Sequence, residues 1–339
     1  MPPKLESTAA DRSVRATQRP GRASPRPFRC PRLPVYSLPV HLSVVLITHN
    51  EEFNLGRTLE SVKPLVRNGQ GEIIVVDSGS TDHTVDIAKS FGAKVFVEPW
   101  KGYSAQKNSA IEKAAGDWIL SLDADEELDT DASRVIFSLT SEIDGASDSE
   151  LGSLVTGSSG DSLDTVEMVM AFEEATESGK TTLRDAAQAS GIWIARKNEF
   201  LGQWIEHGGF WPDPKLRLFR RGRGRFEDRA VHETVIVNGP TANLKHGAIL
   251  HHCYPTLSDY IDHMNRYSSL GAEMAVAEGR TGFSVINIGV RPLVTFLYNY
   301  FVRLGFLDGR KGLLLHLYHA VYVSWKYAKV WELTHSRKS

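Results

Sequence analysis

Trp118-Ile119-Leu120-Ser121-Leu122-Asp123-Ala124-Asp125 runs from a continuous apolar stretch into two carboxylates separated by one small residue. A short apolar run of this kind reads as a buried strand. Side chains repeat every two residues in extended chain, so Asp123 and Asp125 face the same way while Ala124 points back and crowds nothing. Two carboxylates emerging at a sheet edge suit a hard divalent cation, Mg2+ or Mn2+, that shares oxygen ligands with a diphosphate. An acidic, solvated turn has the same composition, so the neighbouring segments must decide. An EF-hand calcium loop starting at Asp123 is excluded, because its sixth and twelfth positions are Leu128 and Arg134 instead of glycine and glutamate.

Working outward, strand-type runs over 42–48, 72–76 and 94–97 alternate with helical segments. Asn50-Glu51-Glu52 reads as the cap and acidic first turn of a helix reaching about Val62. Ser80-Thr81-Asp82 opens a second helix that stops at Gly92, and a third, over roughly 103–115, ends at Gly116. Strict alternation predicts an α/β fold with parallel strands, in which ligands bind outside the carboxyl ends of the strands. Thr48, Asp77 and Asp123 stand at three such ends. No Gly-x-Gly-x-x-Gly motif follows the early strands. Gly179-Lys180-Thr181 lacks both the first glycine of a P-loop, where Glu174 stands, and a preceding strand.

The 339 residues are 41% hydrophobic and 24% charged, with a net charge of -2, which is globular and offers no global basic field for nucleic acid. Cys30 and Cys253 are the only cysteines, too few for a disulfide framework, and a reducing cytoplasm fits best. The N-terminus shows no basic-then-apolar export signal. The chain divides into a disordered basic arm (1–40), a first half-domain (41–139), an acidic, partly disordered insertion (140–190), a second half-domain (191–255) and C-terminal amphipathic helices (256–339). His251-His252-Cys253 has no partner pair at zinc-finger spacing and reads as an exposed strand end. The apolar stretch 312–325 falls short of the roughly 20 residues that cross a bilayer, and so fits either a packed core or a membrane interface.

Thr48-His49-Asn50-Glu51-Glu52, Val75-Val76-Asp77-Ser78-Gly79-Ser80-Thr81-Asp82 and Asp123-Ala124-Asp125-Glu126, in that order, resemble the nucleotide-sugar half of family 2 glycosyltransferases with the GT-A fold. Trp211-Pro212-Asp213, Arg217-Leu218-Phe219-Arg220-Arg221, Val231-His232-Glu233 and Gly305-Phe306-Leu307-Asp308-Gly309 resemble one subgroup, the lipopolysaccharide core β-1,4-glucosyltransferase-like proteins. The resemblance implies a Rossmann-like three-layer α/β/α fold with a mostly parallel central sheet, followed by C-terminal helices. It implies an inverting transfer of a hexose, glucose by the subgroup, from a UDP-sugar to a glycan or glycolipid of the cell envelope. Polyprenyl phosphate, a capsule glycan or a peptide are alternative acceptors.

By the same resemblance Thr48, Asn50 and Glu51 line the pocket for base and ribose, and Asp77 bonds uracil or ribose. Gln106 and Lys107 face the nucleotide, although Lys107 reads equally as a solvated helix lysine. Asp125 is the first choice as metal ligand, with Asp123 holding ribose or a metal-bound water, and Arg217, Arg220 or Arg221 pairs with phosphate oxygens. Glu233 is the candidate base, with Asp228 and Glu227 as rivals and His232 as an orienting group. A lipid-anchored acceptor implies peripheral contact at the inner face of the cytoplasmic membrane. The contrasting non-enzyme reading is a nucleotide-sugar-binding or nucleic-acid-binding protein, supported by the basic arm and by the arginines from Arg217 to Arg225.

Overall fold

A computed structural model describes residues 41–140, 188–227, 234–280 and 283–335. The predicted basic arm, most of the acidic insertion, and Asp228, His232 and Glu233 lie outside the described residues. The predicted apolar runs are strands β1 (Leu42–Thr48), β2 (Gly71–Asp77), β3 (Lys94–Val97) and β4 (Trp118–Ser121). They lie in the order β3-β2-β1-β4, all parallel. Between them run α1 (Leu55–Val62), α2 (Thr84–Ser90) and α3 (Tyr103–Glu112). The period-2 alternation of β1 separates two cores: Leu42, Val44 and Leu46 pack with Leu55, Leu59 and Val62 of α1, whereas Val45 packs with Ala110 of α3, Ile119 and Phe219. Helices therefore cover both faces of the sheet.

The sheet continues past β4 through the second half of the chain. β5 (Glu126–Leu128) and α4 (Thr130–Thr140) are followed by β6 (Gly191–Phe200), β7 (Trp204–Ile205), β8 (Asp213–Arg220), the two-stranded ribbon β9 (Gly224–Phe226) and β10 (Val235–Val237), and β11 (Thr241–Tyr254). The order runs β4-β8-β6-β11-β5, with β8 antiparallel to both β4 and β6, and β6 parallel to β11. The predicted half-domains thus share one sheet. β6 and β11 run in the direction of β4, so their carboxyl ends add Arg196, Asn198 and His251 to the edge that carries Thr48, Asp77 and Asp123. This mixed, mostly parallel sheet between helical layers is the GT-A architecture implied by the sequence.

Two local departures have physical causes. Helix α1 starts at Leu55, not at Asn50, because Asn50 adopts a left-handed backbone (φ 56°) and its Oδ1 accepts the Thr81 N–H at 2.9 Å across the strand exits. The side chain expected to cap a helix instead ties two loops together. Gly116 sits where α3 turns into β4, and a Cβ there would lie 2.6 Å from the Ser43 backbone nitrogen, so only glycine lets the chain enter the sheet beside β1.

The C-terminal part is α5 (Leu257–Ala277), α6 (Arg291–Leu297) and α7 (Gly309–His335). Thr256 and Asp259 cap α5 reciprocally. Phe200, Ile205, Tyr260 and Leu315 form a shared core that seats α5 and α7 on the β6–β7 end of the sheet. The Asp308 carboxylate accepts hydrogen bonds from the backbone N–H groups of Glu206 (3.2 Å) and His207 (3.0 Å), and from His207 Nδ1 (2.9 Å), clamping the loop after β7.

Candidate active site

Asp77 is 1% exposed, and both its carboxylate oxygens are occupied. Oδ1 accepts the backbone N–H groups of Gly79 (2.9 Å) and Ser80 (2.8 Å), while Oδ2 accepts the hydroxyls of Thr48 (2.9 Å) and Ser80 (2.5 Å). Burial alone would raise its pKa, but these donors together hold it below the ordinary value near 3.8. A carboxylate offers about four acceptor sites, so none is left for the uracil or ribose contact expected of Asp77. Its place is that of an anchor for the 78–80 loop, and Thr48, 3% exposed, lies beneath it.

An amide at position 77 would turn a donor toward N–H groups that need an acceptor. Asp77→Asn is therefore expected to cost about 2–4 kcal/mol in urea unfolding. Because the folded pKa is depressed, the carboxylate's contribution is present above the unfolded pKa and is lost as pH falls through the folded value. The gap between wild type and variant should narrow on acidification; a gap that stays constant would refute this role.

Asp123 stands between two cations. Its Oδ1 is 2.7 Å from Lys107 Nζ and its Oδ2 accepts Arg217 Nη2 at 2.6 Å, with Lys107 and Arg217 side chains 6% and 8% exposed. Burial pushes this carboxyl up, but the charges of Arg217 and then Lys107 outweigh it and hold it far below the usual carboxylate range. The solvated-lysine reading of Lys107 is thereby overturned. Arg217 Nη2 also reaches Glu126 Oε1 (2.7 Å), which accepts Arg196 Nη1 at 3.1 Å, and Arg196 forks onto Asp213 Oδ2 through Nε (3.2 Å) and Nη2 (2.8 Å). Glu126 is fully buried, and its Oε2 accepts the Asp123 N–H at 3.1 Å. An alternating chain of charges, Lys107, Asp123, Arg217, Glu126, Arg196 and Asp213, thus sets the conformation of the aspartate turn.

Of the three arginines weighed for the phosphates, Arg217 alone lies at this turn. Arg220 pairs with Trp118 across the strands, at the opposite end of β4 from Asp123, and its guanidinium stacks 4.1 Å from the Trp118 ring centroid. This corrects its expected place in the sugar-nucleotide pocket. Arg221 donates to the Gly116 carbonyl at 2.8 Å at the same far end. Arg217 is thus separated from Arg220 and Arg221, while Arg221, Arg223 and Arg225 line one surface at the far end.

Asp125 faces a partner that the sequence reading treated as an exposed strand end. Its Oδ2 is 3.3 Å from His251 Nε2. Asn198 Oδ1, 2.8 Å from His251 Nδ1, can only accept, so Nδ1 carries the proton and Nε2 is turned to Asp125. Burial pulls the imidazolium down, but Asp125 and then Cys253 outweigh it and hold the pKa at about 10. A carboxylate beside an oriented imidazole, with the second ring nitrogen held by an amide oxygen, fits a divalent cation that displaces the Nε2 proton and whose other positions belong to substrate oxygens and water. The mixed O/N donor pair suits Mn2+ at least as well as Mg2+. Among the described residues no group of three or more His, Cys, Asp or Glu side chains is arranged to hold a metal ion. Asp123, the other residue expected at the metal, is held by two cations. His252 points elsewhere, between Glu127 Oε1 (3.0 Å) and Glu199 Oε2 (2.5 Å).

Other polar groups at this edge lack partners. Ser78 Oγ, Ser104 Oγ, Gln106 Nε2 and Arg217 Nε are buried without a hydrogen bond. Tyr260 Oη and both His316 ring nitrogens, away from this edge, are buried without a hydrogen bond as well. Glu51 completes the rim. Burial raises its pKa, opposed by a hydrogen bond from Asn54, and the negative charges of Asp125, Asp82 and Asp123 raise it further.

A buried, charge-balanced aspartate turn beside an Asp–His pair thus stands at the carboxyl edge of the sheet. Residues 43–144 match the glycosyl transferase family 2 model and form a domain of that family. The chain is 28% identical over 298 residues to the lipopolysaccharide core biosynthesis glycosyltransferase LpsC of Rhizobium meliloti, covering 86% of this chain and 92% of the relative. An uncharacterized glycosyltransferase of Rickettsia typhi is 52% identical over 87 residues, 26% of this chain and 28% of the relative's length. Glucosyl-3-phosphoglycerate synthase of Mycobacterium tuberculosis, solved with Mn2+, uridine diphosphate and glucosyl-3-phosphoglycerate, overlays at a TM-score of 0.25 with 30% identity, over 29% of this chain and 37% of that one.

Arg196, Asn198, Asp213 and His251 were not assigned to the site from sequence. The signals were the position of Arg196 at the end of the apolar run from Ile192, of the histidines at the end of another, and of Asp213 in the motif Trp211-Pro212-Asp213. The strand register that brings them to Asp123 and Asp125 is not written in either run alone.

Proposed function

We propose that this protein is an inverting, metal-dependent glycosyltransferase that moves a hexose, glucose by its subgroup likeness, from a UDP-sugar to a lipopolysaccharide-core or related cell-envelope glycan. The observation that carries the reading is the Asp125–His251 pair set beside a clamped Asp123. The likeness to LpsC along most of both chains supports the acceptor class.

Asp125 and His251 would hold Mg2+ or Mn2+, which when bound supplies positive charge for the departing diphosphate. Lys107 and Arg217 fix Asp123 so that its remaining lone pairs face the ribose or a water, and Gln106 and Ser78 offer unpaired polar atoms to the nucleotide. Glu233 is assigned as the base. The acceptor oxygen attacks the anomeric carbon from the side opposite UDP, the bond from that carbon to the diphosphate oxygen breaks, and the acceptor proton passes to the Glu233 carboxylate. The acceptor is expected to be lipid-borne and reached from the cytoplasmic side of the membrane.

The test is release of UDP from a panel of UDP-sugars, with and without Mn2+ and saccharide acceptors. UDP-glucose with metal should give the fastest release, accelerated by acceptor. Absence of metal-dependent release from every UDP-sugar would sink the proposal. Glu233→Gln should retain UDP-sugar binding and lose transfer by on the order of 10³-fold; retained turnover would move the base to Asp228.

A further inference from the structure

Helix α6 is continued at both ends by wider helical turns, Ile286–Val290 and Tyr298–Val302, and carries its apolar side chains on the wrong side for a soluble protein. Ile286, Val290, Leu293, Leu297 and Phe301 recur at spacings of three and four residues, and so share a face. They are between 44% (Leu297) and 67% (Ile286) exposed. Phe283, Val302, Leu304 and Leu307 extend the patch beyond the helix ends, each more than 40% exposed. The other side of the segment is seated on α7, where Ser324 Oγ donates to the Ile288 carbonyl at 2.8 Å and the Arg291 guanidinium lies 5.3 Å from the Tyr327 ring centroid. The largest contiguous apolar patch on a soluble monomer is roughly 300–600 Å², and patches that size already tend to be interaction sites.

Charge selects the occupant. Between Gly279 and Trp331 the sequence carries Arg280, Arg291, Arg303, Arg310, Lys311, Lys326 and Lys329 against one acid, Asp308. Asp308 is 6% exposed and taken up by the loop after β7. Lys311 and Lys329 donate to the Leu201 and Asn265 carbonyls, Lys326 lies against Gly271 of α5 and Arg280 pairs with Glu278, which leaves the exposed Arg291, Arg303 and Arg310 beside the apolar face. Such a face is complementary to an anionic bilayer, where apolar side chains enter the acyl boundary and arginines meet lipid phosphates. Tyr298 and Trp331, 51% and 40% exposed, are of the type that settles at head-group depth. A two-fold contact with a second copy would set these arginines against their own equivalents.

We propose that the 283–307 face docks on the surface of an anionic phospholipid membrane. The contact is tied to the site through the loop after β7: the Gly208 N–H donates to the Arg303 carbonyl at 2.9 Å, and Asn198, the partner of His251, lies across the strands from Ile205. Docking therefore presents the second-half side of the site to molecules carried in the membrane. This orientation rests on the glycosyltransferase reading; the membrane contact itself does not.

The full-length chain is sedimented with vesicles of phosphatidylglycerol and phosphatidylethanolamine, or of phosphatidylcholine alone, at low and high salt. Binding is expected to the anionic vesicles, weakened by salt. Leu293→Asp and Phe301→Asp should each lower partitioning about tenfold or more, with circular dichroism and UDP release from the donor unchanged, since neither side chain belongs to the site. No sedimentation with anionic vesicles overturns the proposal, as does unaltered binding by both variants. A dimer in light scattering that the same variants break also overturns it, in favour of a second copy. Because donor turnover is read separately, loss of vesicle binding leaves the enzymatic reading standing, and absent turnover leaves the docking result intact.

Discussion

Arg217→Met is expected to destabilise the folded chain by about 3–5 kcal/mol, the cost of leaving buried charge unpaired. One guanidinium nitrogen serves both Asp123 (2.6 Å) and Glu126 (2.7 Å), and the Glu126 side chain has no exposed surface. Without Arg217, Glu126 keeps Arg196, 3.1 Å away, together with the Asp123 N–H, and Asp123 keeps Lys107. The methionine fills the volume of the lost stem but offers no donor. Adding Glu126→Gln should recover part of the loss, because it removes the charge that Arg217 had balanced, and the coupling is read from a double-mutant cycle in urea. A loss of about 1 kcal/mol or less, as for an exposed pair, would show that the cluster is open to water and that its charge alternation is not what sets the aspartate turn.

His251→Ala is expected to lower metal-stimulated transfer by on the order of 10²- to 10³-fold, the share of leaving-group stabilisation that a well-held cation supplies. The second readout is Mn2+ itself, titrated by electron paramagnetic resonance in the presence of UDP, and its affinity should fall in His251→Ala and in Asp125→Asn. Asn198→Ala should weaken it by a smaller factor, about 10- to 100-fold, since it only orients the ring. His252→Ala is the contrasting variant: its ring is held between Glu127 and Glu199 on the alternate register of β11, away from Asp125. Mn2+ affinity lost in His252→Ala but kept in His251→Ala would exchange the two roles and remove the basis of the proposed metal centre.

The strands and the α/β class were legible in the sequence because buried parallel strands are short, continuous apolar runs, and the predicted runs are the observed β1 to β4. Helix beginnings were less legible. Asn50 has the chemistry of a cap, but its side chain has a better acceptor role toward Thr81, a residue far along the chain. Among the site residues, Asp123 and Asp125 lie in a turn beyond β4, not in extended chain, and meet different partners, Lys107 and Arg217 for the one and His251 for the other. Asp77 was found at the right strand end but with its acceptor capacity already used by the loop it anchors. Arg217 and Arg220 are three residues apart in one strand, and so sit on opposite faces at different distances from the turn. Only pairing of β8 with β4 shows which one meets Asp123.

What the sequence alone determined is therefore the alternation of elements, the sheet edge carrying Thr48, Asp77 and Asp123, and the resemblance to family 2 glycosyltransferases, since all three follow from local periodicity and contiguous motifs. The tertiary structure decided the rest: Lys107 and Arg217 as the clamp on Asp123, His251 as the partner of Asp125, Arg220 at the far end of the sheet, and the outward apolar face of 283–307. Those depend on register and packing between segments distant in sequence, where a shift of one residue turns a side chain to the other face of the sheet, and no local pattern encodes that choice.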